Sequence, residues 1–89
     1  MKAIMLTTEH RGVFLAKIDD NADITPKTLT NMKDGRMVIQ WRNGEGLQGM
    51  AASGPTAQCK LGPIGDIEVL HDITAVFHVT DLAAAKIWG

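Results

Sequence analysis

Two dipeptides constrain this chain more than any other feature. Asp34-Gly35 and Asn43-Gly44 bracket the stretch RMVIQW. Asp-Gly and Asn-Gly supply the paired positive φ angles of a two-residue type I′ turn, the reversal that suits the twist of antiparallel strands. They predict a three-stranded meander near 28–33, 36–42 and 45–52. In its middle strand, alternation puts Met37, Ile39 and Trp41 on one face and Arg36, Val38, Gln40 and Arg42 on the other. A single apolar face at period two is the mark of a half-buried strand.

The rest of the chain continues the pattern of short strands. AIML at 3–6 reads as a first strand, TTEHR as a turn, and GVFLAKI at 12–18 as a strand apolar on both faces, covered on both sides or lying in a sheet that curls. DDNADITP at 19–26 has no apolar period and reads as a solvated loop closed by Pro26, which pushes Thr25 towards extended backbone. The run from 67 to 80 is long for one strand, so a bend at His71-Asp72 should divide it in two. TDLAAAKIWG is the helix candidate, with Thr80 as cap, Asp81 at the positive end, and Leu82, Ala85 and Trp88 on adjacent faces. At about two turns it needs something to dock against. These readings predict an all-β single domain over 1–89. The expected form is a small antiparallel barrel or rolled sheet, SH3-like or OB-like, with a short C-terminal helix.

Charge and cysteine content narrow the setting. Nine basic and ten acidic residues nearly cancel, so no long-range field steers the chain to DNA or anionic lipid. The lone Cys59 excludes an internal disulfide and fits a reducing compartment. The apolar run near the N-terminus is too short for a signal peptide, and no run reaches the roughly 18 apolar residues of a membrane span. Neither a nucleic-acid nor a membrane partner is therefore expected.

No motif of catalysis or metal binding emerges. Ser53 stands where a nucleophile elbow would need Gly two positions to either side, and those positions hold Ala51 and Pro55. His71 and His78, seven apart, fall on opposite faces of a continuous strand. DDNAD lacks the Gly and distal Glu of a calcium loop, and Asp66 with Glu68 reads as the wet side of a strand. The expectation is a protein that is not an enzyme, with no cofactor and no metal site.

The stretch GLQGMAASGPTAQCKLGP at 46–63 is different in kind. Its one charge is Lys60, and Gly46, Gly49 and Gly54 can bend the backbone or let another backbone approach. It reads as a barrel corner followed by a loop that another chain or a ligand covers, and a row of Gly amides can hold an anion. The candidate binding residues are Arg36, Trp41, Arg42, Ser53, Gly54 and Thr56, the arginines giving charge-assisted hydrogen bonds to phosphate. An alternative use of Arg36, Gln40 and Arg42 is a face for single-stranded nucleic acid.

TTEHRGVF, RMVIQW, GLQGMAASGP with CKLGP, DITAVFHVT and a late Trp together resemble a family of short phage and prophage proteins. The resemblance spans most of the chain and is most specific at the Gly-Pro pairs and the Trp41 block. Gln40 stands where that family usually has an aromatic, and Asp34-Gly35 reads as a local insertion. The resemblance implies a phage-made compact domain in the cytoplasm of an infected bacterium, and it implies no activity. The resulting expectation is a non-enzymatic, homo-oligomeric binding protein. It would antagonise host defence by sequestering a small nucleotide-like anion or by blocking a host protein. A virion structural or assembly accessory is the alternative.

Overall fold

A computed structural model describes residues 1–9, 12–40, 46–57 and 59–89. In chain order the elements are β1 (Lys2–Thr8), β2 (Val13–Ile18), β3 (Leu29–Gln40), α1 (Gly46–Ser53), β4 (Lys60–Leu61), β5 (Gly65–Leu70), β6 (Ile73–His78) and α2 (Asp81–Trp88). All strand pairs are antiparallel. The sheet runs β4-β3-β2-β1-β6, and β5 joins the same side of β3 as β4, farther along that strand. The result is a curled sheet rather than a closed barrel, carrying the expected C-terminal helix. Its curl comes from the run 65–78. At Asp72 (φ 59) this run turns from β3, which β5 pairs, to β1, which β6 pairs. The bend expected at His71-Asp72 is therefore present, and it hands the chain from one edge of the sheet to the other.

Alternation in β1 and β2 feeds two cores. Met5, Val13 and Leu15 face one side, where Met50 and Ala51 of α1, Val79, and Ala83 and Ile87 of α2 close over them. Ile4, Leu6, Ala16 and Ile18 face the other, where Leu29, Met32 and Ile73 meet them and Ile24 and Ile67 pack on top. That is why 12–18 is apolar on both faces: both faces are covered.

Three expectations fail here. Asp34-Gly35 is not a hairpin turn, because Leu29–Gln40 is one bent strand, β3, that runs through it. Asp34 does take a positive φ of 52, but as the extra residue of a bulge. Opposite β5, Met32 pairs with Ile67 and Gly35 with Gly65, and opposite β2, Lys33 pairs with Lys17 and Arg36 with Leu15. Gly35 serves close approach: a Cβ there would lie 2.5 Å from two Ile67 side-chain atoms and 2.9 Å from the Gly65 carbonyl oxygen. With Asn31 (φ 58) also left-handed, the inward positions of β3 recur every third residue, at Leu29, Met32, Gly35 and Val38.

The second failure follows from the first. Val38 is 3% exposed while Met37 and Ile39 are 48% and 59% exposed, so the apolar face read from alternation is the outer one. The third is the expected strand at 45–52, read as a barrel corner, which is helix α1. The Asn43-Gly44 turn lies outside the described residues.

Helix α1 has weak intrinsic propensity, since Gly49 costs about 1 kcal/mol against Ala. Tertiary bonds compensate. Gly54 (φ 86) donates its N–H to the Met50 carbonyl at 3.0 Å, the left-handed ending that glycine allows, and Pro55 bars continuation. Thr80 then takes two more carbonyls of the last turn: its N–H donates to Ala51 at 3.0 Å and its hydroxyl to Ala52 at 2.6 Å. The same hydroxyl caps α2 as expected, accepting from the Ala83 N–H at 3.2 Å. The buried stripe of α2 is Ala83 and Ile87, with Trp88 half-buried, while Leu82 is 60% exposed.

Candidate binding surface

Of the six residues singled out from the sequence, the four that the structure describes each serve the fold or its surface separately. Trp41 and Arg42 lie outside the described residues. Arg36 sits on the helix-covered side of β3, and its guanidinium serves the fold. Nε donates to the Gly62 carbonyl at 2.7 Å and Nη1 to the Ile87 carbonyl at 2.6 Å. A cation on a carbonyl of the last turn of α2 also meets the negative end of that helix. Ser53 is the last residue of α1. Gly54 is buried against α2, where a Cβ would come within 3.1 Å of Ala83 and Lys86. Thr56 is exposed, with its hydroxyl 3.5 Å from Cys59 Sγ. Gly54 and Pro55 therefore end helix α1.

A polar cluster gathers around the bulge. Trp88 Nε1 donates to the Asp34 carbonyl at 2.7 Å, and Lys17 lies 5.0 Å from the Trp88 ring and 3.4 Å from the Asp34 carboxylate. Asp66 accepts from the Asp34 N–H and from Lys33, each at 3.2 Å. Those bonds, the backbone one first, hold the Asp66 carboxyl below the ordinary carboxylate range. Each group here bonds a neighbouring strand or helix, so the cluster fastens α2 and β5 to β3. The wet-side reading of Asp66 was incomplete: it is exposed and also structural. Among the described residues no group of three His, Cys, Asp or Glu side chains is placed to hold a metal ion.

What remains is an apolar ridge on the outer face. Met37 and Ile39 stand there, both exposed. Gly62 lets the ridge lie flat: its N–H donates to the Met37 carbonyl at 2.7 Å, and the Ile39 side chain reaches 3.8 Å from where its Cβ would be. Sequence reading had grouped Met37 with Ile39 correctly but had them marking a half-buried strand. Arg36 was the missing signal: a long cation with two carbonyls to satisfy takes the covered side and turns its neighbours outward.

Residues 1–87 match the family model for DUF6948, a domain of unknown function. The chain belongs to that family. The match takes in every strand, α1 and all of α2 except Trp88, so the DUF6948 domain here is the curled sheet with both helices. No curated protein and no solved structure matches the chain.

Proposed function

We propose that this DUF6948 domain is a non-enzymatic binding protein that works as a homo-oligomer and acts by docking on another protein. The observation that supports it is the pair Met37 and Ile39, half-exposed on a strand whose other face is packed. Large apolar side chains grouped on a rigid surface favour contact with another protein surface. The commitment of Arg36 to two carbonyls favours a protein partner over a nucleotide-like anion, and likewise over single-stranded nucleic acid.

The biological setting comes from the motif resemblance: a phage-made protein that blocks a host defence protein in the bacterial cytoplasm. The test is to express the chain in strains carrying individual defence systems and measure phage plating. The expected outcome is restored plating against at least one system, with calorimetry silent against a panel of nucleotide signals. Heat on mixing with one nucleotide would replace the docking reading with sequestration. Stoichiometric amounts of the chain in purified particles, with no effect on plating, would favour the virion accessory.

A further inference from the structure

The sheet ends at β6, and among the described residues no strand pairs with the outer edge of β6. The Val79 N–H donates to the Ala3 carbonyl at 3.1 Å, which fixes the alternation back to Ala75, where a bulge leaves Thr74 as the extra residue opposite β1. The main-chain groups of Ala75 and Phe77 point to β1, and those of Thr74, Val76 and His78 point outward. Among the described residues, the start of the edge is held where the Ile73 N–H donates to the Lys27 carbonyl at 2.9 Å, and just past its end the Thr80 N–H donates to the Ala51 carbonyl of α1 at 3.0 Å. Natural edge strands are usually blunted by Lys, Pro or inward charges. The segment ITAVFH contains none of these. Beside it lies a groove of about 280 Å³ between Ile24–Pro26 and Ile73–Val76.

We infer that β6 pairs antiparallel with β6 of a second copy, about a two-fold axis at Val76, joining two curled sheets into one. This rests on the homo-oligomer reading above and names its interface. The strand is complementary to itself in that register. Val76 opposes Val76 of the second copy, Phe77 opposes Ala75, and His78 opposes Thr74, giving a large ring over a small residue and an imidazole beside a hydroxyl. All three outward residues find main-chain partners, about six hydrogen bonds in total.

Neighbouring registers do worse. An axis at Ala75 drives Phe77 onto Ile73, whose N–H Lys27 already holds, and an axis at Phe77 leaves Thr74 unpaired. A second copy also suits the edge better than a foreign peptide, because a two-fold pairing covers both open edges at once.

The experiment combines sedimentation with cysteine cross-linking. Val76→Cys in a Cys59→Ser background puts two thiols on directly opposed residues, about 5.5 Å apart at Cα, within disulfide range. Mild oxidation should yield a covalent dimer, and the control Glu68→Cys in the same background should not. The surface double variant T74K/H78K sets lysine opposite lysine and should weaken association at least about tenfold while circular dichroism stays unchanged. An oligomer that neither cross-links through position 76 nor responds to T74K/H78K overturns the β6 interface and leaves the homo-oligomer standing. A monomer at every concentration overturns both.

Discussion

Arg36 carries more of this fold than its place in an alternating strand suggested. Its two bonds join β3 to the segment after β4 and to the end of α2. Replacement by Met leaves both carbonyls short of a donor and should cost about 2–3 kcal/mol in urea unfolding. Lys reaches with a single point charge and should recover part of that at most. Gly35→Ala should cost about 1–3 kcal/mol, because the new methyl group meets Ile67 and the Gly65 backbone; an unchanged denaturation midpoint would refute the close approach. Asp66 gives a pH test. Its folded pKa lies below the ordinary carboxylate value of 3.8, first through the Asp34 N–H and then through Lys33. The contribution is thus present above that value and lost as pH falls through the lower folded one. An NMR titration of Lys33→Met should find Asp66 still depressed, because the backbone bond remains.

At the scale of elements, Thr80 is the joint between the helices: one hydroxyl donates to the end of α1 and caps the start of α2. Thr80→Val should lose about 1–2 kcal/mol and Thr80→Ser much less, both read from thermal melts followed by far-ultraviolet dichroism. The cap was legible because Thr-Asp before an alanine run has few other uses. The fate of 46–53 was not, although Ser53-Gly54-Pro55 is a good helix stop. The interior Gly49 argues against a helix, and the hydroxyl bond from Thr80 to Ala52 that helps offset it comes from 28 residues away. Asp34-Gly35 misled for a related reason. A left-handed residue before glycine suits a bulge as well as a turn, and the choice lies in Asp66 and Trp88, which hold the Asp34 backbone from other elements. Strands β1, β2, β5 and β6 were readable because their burial follows from their own residues. The candidate site was least legible: Arg36 was chosen for its charge, and its hydrogen-bond partners were remote.

For the whole molecule, the helices and the curl cover both faces of β1 and β2, while the outer face of β3 keeps Met37 and Ile39 in the open. A chain that has enclosed two cores and still presents such a ridge has a surface to spend on a partner. The double variant M37K/I39K tests this most directly, because the same substitutions would be ruinous in a core and are nearly neutral on a surface. The deciding measurement is phage plating on the responsive defence strain, with the unfolding free energy of the purified variant as its control. The account predicts that M37K/I39K abolishes the effect on plating while its stability stays within about 1 kcal/mol of the parent. Full activity from the variant would contradict it.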